Sequence, residues 1–112
     1  MKIPSDAQLM RIFIGESDQW HGRPLYEAII LKARETGIAG ATMLRGLMGY
    51  GAASRIHTAK ILRLSEDLPV IVEIVDGAEK LSAFLPLIEE MVHEGLVTLE
   101  NVKVIVRVKS EE

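Results

Sequence analysis

Pro69-Val70-Ile71-Val72-Glu73-Ile74-Val75-Asp76-Gly77 decides the fold. Five of the six residues from Val70 to Val75 are Val or Ile, interrupted only by Glu73, a β-branched content that marks a strand with both faces apolar. Pro69 opens it, and Asp76-Gly77 ends it. Downstream, Leu81, Leu85, Ile88 and Val92, joined by Phe84 and Met91, recur at helical spacing, so a helix is predicted from about Ala78 to His93. Pro86 falls inside it and removes one backbone hydrogen bond, which predicts a kink or a late start. Gly95 ends the helix. Leu96 to Asn101 reads as a turn. Val102, Val104, Val106 and Val108 alternate with Lys103, Ile105 and Arg107, as a half-buried final strand would. The half is strand-helix-strand.

Working upstream, the same order appears again. Leu9, Met10, Ile12, Phe13 and Ile14 form a short apolar run that Gly15 stops, so Gln8 to Gly15 is a strand. The loop Glu16 to Arg23 leads to Pro24, whose fixed φ suits a first helical residue. Leu25, Ala28, Ile29, Leu31 and Lys32 follow at helical spacing, and Gly37 is the stop, giving a helix from Pro24 to Thr36. Ala39 to Arg45 is short enough for a second strand. Gly46 to Ser54 is a loop by its glycines. Thr58 to Ser65 fits helix and strand about equally poorly, and an extended arm is the preferred reading. Two strand-helix-strand units predict an α+β, ferredoxin-like βαββαβ fold: a four-stranded antiparallel sheet with two helices on one face. The other face stays open, and the apolar third strand implies that it meets another copy.

The chain has 112 residues, of which 48% are hydrophobic and 26% charged, which suits one domain over residues 1–112 and excludes disorder. No apolar run approaches the roughly 20 residues of a membrane span, and the first residues carry no signal-peptide pattern. There is no cysteine, so disulfides and thiolate chemistry are excluded and a cytoplasmic location is expected. A net charge of −3 and 4% aromatic residues argue against nucleic-acid binding.

Charge is distributed unevenly. The thirty residues between Glu35 and Glu66 contain no acid but carry Arg45, Arg55, Lys60 and Arg63. The same block holds five of the nine glycines: Gly37, Gly40, Gly46, Gly49 and Gly51. Cationic side chains and unhindered backbone N–H groups together can hold an anion. Arg45, at the end of the second strand, and Arg55 and His57, on the returning arm, are the candidate side chains; Gly46, Gly49 and Gly51 supply the backbone. In this fold the 46–68 connection and the loop entering the final strand are expected at one end of the sheet, with the Glu16–Arg23 loop at the other.

Several stretches are familiar together: Gly15-Glu16-Ser17-Asp18, His21-Gly22-Arg23-Pro24-Leu25-Tyr26, Gly40-Ala41-Thr42, Arg45-Gly46, Gly49-Tyr50-Gly51, Ile56-His57 and Leu64-Ser65-Glu66-Asp67-Leu68-Pro69. The combination covers nearly the whole chain and resembles the domain-of-unknown-function family numbered 190, which is similar to the PII signalling proteins. The resemblance implies a homotrimer that binds an adenine nucleotide in clefts between subunits. It also implies that a long loop between strands two and three engages a protein partner. Some members of that family lie beside or are fused to fluoride-channel-like membrane proteins, which points to a membrane transporter or channel as partner. By position, Gly95 and Thr98 correspond to the second nucleotide loop of PII, and Arg107 and Lys109 to basic residues that reach phosphates. Glu94 to Asn101 lacks the lysine of that loop, which favours AMP or ADP over ATP. No cofactor is required beyond such a ligand. The alternative is a structural or metal-tolerance trimer without a nucleotide site.

Other motifs carry less. Gly49-Tyr50-Gly51-Ala52-Ala53-Ser54 lacks the third glycine of a dinucleotide fingerprint, and no Lys-Ser/Thr pair makes a phosphate loop of it. His21, His57 and His93 show no metal-ligand spacing. Glu16 and Asp18 read as a solvated helix-entry loop. No nucleophile, base and oxyanion donor come together, so the sequence reads as a non-enzyme.

Overall fold

The computed structural model describes residues 3–50, the backbone of 57–58, and residues 67–106. Strand β1 spans Asp6–Gly15. A small ribbon follows, β2 (Gln19–Trp20) against β3 (Arg23–Pro24). Helix α1 is Leu25–Glu35, β4 is Gly40–Arg45 and β5 is Met48–Gly49. Strand β6 (His57–Thr58) pairs with β5. Strand β7 is Pro69–Asp76, α2 is Ala78–Met91 and β8 is Leu96–Lys103. The main sheet has the order β4-β7-β1-β8, with every neighbouring pair antiparallel. This is the expected ferredoxin-like arrangement.

The period of two along β1 and β7 builds the core. Met10, Ile12 and Ile14 stand opposite Ile74, Val72 and Val70 and are buried under both helices. Leu25, Ala28, Ile29 and Ala33 of α1 and Leu81, Phe84, Ile88 and Met91 of α2 complete the same cluster, so both helices cover one face. Each fully buried aliphatic side chain contributes about 1.5–3 kcal/mol. A one-residue slip of either strand would turn its three core residues outward, and so the register is fixed. The open face carries Leu9, Phe13, Ile71 and Val75, half-buried, around an ion-pair network. Arg11 Nε donates to Glu73 Oε2 at 2.9 Å and Arg11 Nη1 to Glu100 Oε1 at 3.0 Å. The Arg11 guanidinium is held above its usual value, chiefly by the Glu73 hydrogen bond, with Coulombic attraction from Glu100 and Glu73 adding and desolvation opposing.

Helix α1 closes with paired reverse bonds. Ile38 N–H donates to the Ala33 carbonyl at 3.0 Å and Gly37 N–H to that of Arg34 at 3.2 Å, with Gly37 at φ +85°. Asp76, buried at the end of β7, ties this turn down by accepting from Ala39 N–H at 3.0 Å.

Four expectations need correction. Pro24 flanks α1 with ψ 135° instead of beginning it, because it still pairs with Gln19 in the ribbon. Helix α2 starts at Ala78, so Pro86 causes no late start, and it ends at Met91, short of His93. The Gly46–Ser54 loop contains a paired strand, β5. The last strand is Leu96–Lys103, not Val102–Val108. Pairing begins at Leu96 opposite Phe13 and ends at Lys103 opposite Asp6, where β1 itself begins. The valine alternation continues past the edge that could pair with it. Of the expected arm Thr58–Ser65, only Thr58 lies among the described residues.

Candidate functional site

Strands β1 and β4 are both antiparallel to β7, so they run in the same direction and their C-terminal ends share one end of the sheet. The starts of β7 and β8 lie there too, with Gly15 opposite Pro69 and Phe13 opposite Leu96. The Glu16–Arg23 loop therefore stands beside the 46–68 connection in the same chain, contrary to the expectation from sequence. Each strand-helix-strand unit returns the next strand in its original direction, which gathers three loops at one end.

That end is cross-tied. Arg45, at the last position of β4, points Nη2 at Glu16 Oε2 at 2.5 Å. The Arg45 side chain is 52% exposed and that of Glu16 21%. The other carboxylate oxygen, Glu16 Oε1, is buried with no hydrogen-bond partner among the described residues. Glu16 N–H donates to the Leu68 carbonyl at 2.9 Å. Ser17 gives Asp67 Oδ1 two hydrogen bonds, from N–H at 2.9 Å and from Oγ at 2.7 Å. Gly46 N–H donates to the Pro69 carbonyl at 2.7 Å, so this amide is engaged and does not turn to a ligand as the sequence suggested. Gly46 and Gly49 both lie against the Pro69 ring, where a Cβ would stand 3.0 and 3.2 Å from Pro69 Cγ. Gly49 stands opposite His57 in the β5–β6 ribbon.

The other candidates occupy the far edge. Gly95 packs so closely on β1 that a Cβ would lie 2.7 Å from the Phe13 carbonyl oxygen. Thr98 is inside β8, opposite Arg11 on the open face, and not in a loop. Strands β4 and β8 are opposite edges of the sheet. They are three strand spacings apart, about 14 Å. One chain thus places Arg45, Gly46 and Gly49 at one edge and Gly95 and Thr98 at the other, without bringing them together. Gly51, Arg55, Arg107 and Lys109 lie outside the described residues, as does the side chain of His57. Among the described residues no three His, Asp or Glu side chains are grouped to hold a metal, and no helix is long and apolar enough to cross a membrane. Trp20, packed against the core, stacks on His21 with ring centroids 4.2 Å apart. Sequence reasoning missed Glu16, Ser17 and Asp67. The signal was available in the equal direction of strands one and two, which sets an acid beside Arg45.

Residues 7–104 match the family described as "Uncharacterized ACR, COG1993", domain-of-unknown-function family 190. The chain belongs to this family. The family-190 chain is 43% identical over 98 residues to a UPF0166 protein of Aquifex aeolicus, covering 88% of this chain and 92% of that one. It is 34% identical over 96 residues to a UPF0166 protein of Methanocaldococcus jannaschii, covering 85% and 88%. Its fold matches CPII from Thiomonas intermedia K12 bound to ADP and bicarbonate, with a TM-score of 0.58 at 19% identity over 88% of both chains. A second structure of CPII, a nitrogen regulatory PII-like protein bound to ADP, AMP and bicarbonate, matches with a TM-score of 0.59 at 17% identity over the same shares. The family-190 chain thus has the PII-like fold.

Proposed function

We propose that this family-190 chain is a PII-like regulatory protein, a homotrimer that senses an adenine nucleotide in clefts between subunits and signals through its 46–68 connection to a protein partner. The observation that carries the reading is a half-exposed cation, Arg45, fixed by sheet geometry at the mouth of that connection, in a fold whose solved neighbour binds ADP. Two features support the finer points. The candidate ligand residues divide between opposite sheet edges, and clefts between neighbouring copies would unite what one chain holds apart. Leu47, Met48 and Tyr50, on the departing arm, are 80%, 67% and 76% exposed, an apolar surface suited to a protein partner. Within this reading Arg45 takes a phosphate. Arg55, His57, Arg107 and Lys109 add cationic groups, Gly49 and Gly51 allow close backbone approach, and Gly95 and Thr98 come from the neighbouring copy.

A guanidinium–phosphate hydrogen bond contributes roughly 1.5–3 kcal/mol. Arg45→Ala should therefore weaken ADP binding about tenfold or more while leaving the assembly intact. The control is Lys80→Ala, at the opposite end near Gly37, which should bind as the parent does. Calorimetry with ADP, AMP and ATP, and separately with divalent metals, distinguishes this reading from a metal-tolerance role. A parent protein that ignores all three nucleotides at millimolar concentration refutes nucleotide sensing.

A further inference from the structure

We propose that the turn Glu16–Ser17 is a clasp on both feet of the 46–68 connection, and that the Glu16 carboxylate holds Arg45 in place of an anionic ligand and is displaced when one binds. This rests on the reading that Arg45 takes a phosphate.

The connection departs at Arg45–Gly46 and returns at Asp67–Pro69. Two adjacent residues outside it reach both feet. The Glu16 side chain pairs with Arg45 on the departing foot. The Glu16 amide and both donors of Ser17 hold Leu68 and Asp67 on the returning foot. The feet are also joined directly, Gly46 N–H to the Pro69 carbonyl.

A phosphate and the Glu16 carboxylate seek the same guanidinium edge, and like charges there repel. Two properties of the closed pair favour exchange. First, Arg45 is half exposed, and an ion pair at that exposure is weak. Second, Glu16 Oε1 is buried without a donor among the described residues, an incomplete arrangement that the carboxylate leaves behind when it turns to water. The residue that moves its side chain also holds Leu68 through its backbone. A ligand on Arg45 thereby alters the tie between the two feet, which couples occupancy to the base of the connection.

The test is calorimetry of ADP binding to the parent, Glu16→Gln, Glu16→Asp and Arg45→Ala, with amide exchange by NMR on the parent. Removing the competing charge should tighten ADP binding about two- to fivefold in Glu16→Gln, since exposed ion pairs are of that strength. The shorter carboxylate of Glu16→Asp should give a smaller gain. In the parent, saturating ADP should speed exchange of the Glu16 and Ser17 amides, a readout that needs no variant to fold. Unchanged or weaker ADP binding in Glu16→Gln, with Arg45→Ala weakened as expected, overturns the displacement and leaves the nucleotide reading standing. Slower or unaltered exchange at both amides in the ADP-bound parent overturns the clasp. If Arg45→Ala binds ADP like the parent, or if the parent does not bind it at millimolar concentration, the nucleotide reading fails and the proposal with it.

Discussion

Gly95 sets where the last strand begins. Its Cα faces the β1 backbone so closely that an added Cβ would lie 2.7 Å from the Phe13 carbonyl oxygen, 3.0 Å from Val92 Cγ1 and 3.2 Å from Ile14 Cγ2. Side chains can give way by a few tenths of an ångström, whereas a carbonyl inside a paired strand can do so only by disturbing its ladder. Gly95→Ala should thus destabilise the fold by roughly 1–3 kcal/mol, the usual cost of overpacking. Urea unfolding should show a lower midpoint at unchanged slope. An unaltered midpoint with weakened ADP binding would instead assign Gly95 to the ligand. Charge at single residues follows the same logic of neighbours. Glu16 looked like a solvated acid because its nearest sequence neighbours are polar, yet its partner Arg45 is 29 positions away. No local pattern contains that pairing; it follows only from strand direction.

Among the elements, α2 holds an avoidable weakness. The helix runs unbroken from Ala78 to Met91 with Pro86 inside it, on the exposed side. Pro86 has no N–H to give the Ser82 carbonyl, and its exposed ring contributes nothing to the core. Alanine would restore that bond, and the helix-interior difference is about 3 kcal/mol before the freer unfolded chain offsets part of it. Pro86→Ala should gain about 1–2 kcal/mol, read as a higher thermal midpoint. A lower midpoint would mean that the ring packs against something beyond the chain. The sequence made legible those elements whose burial is periodic. Val70, Val72 and Ile74 of β7, and Leu81, Phe84, Ile88 and Met91 of α2, are buried, whereas Leu85 and Val92 of the expected helix face and Ile71 and Val75 on the other face of β7 are half-buried. Strand β8 was misplaced because it is an edge with few buried residues: Val97 and Val102 are half-buried and the rest exposed. Its limits come from Gly95 at one end and the start of β1 at the other, neither of which is a property of its own sequence. In the candidate site Arg45 was legible as an unpaired-looking cation in an acid-free block. Its tie to Glu16 was not, because that contact is a property of topology.

At the scale of the whole molecule, the open sheet face should drive assembly. Leu9, Phe13, Ile71 and Val75 form a half-buried apolar surface, and Leu44 and Leu96 at its margins are 45% and 58% exposed. Large contiguous apolar surfaces mark interaction sites on soluble proteins. At its centre the Arg11 network spans three strands, from Glu73 on β7 to Glu100 on β8. Arg11 already has its carboxylates within the chain, so covering this face would not strand an unpaired cation, whose burial would be costly. Closed cyclic symmetry then allows three copies to satisfy their faces together. Light scattering at micromolar concentration should give about 37 kDa, three times the 12.4 kDa chain. Leu44→Glu tests which surface is responsible. The side chain is exposed within one chain and stands opposite Ile71, so the subunit should fold normally. In an assembly it would bury an unpaired carboxylate in an apolar contact, which costs several kcal/mol. We expect a folded 12.4 kDa monomer. A parent that is itself monomeric rules out the trimer. A Leu44→Glu variant that stays at about 37 kDa shows that the copies meet elsewhere.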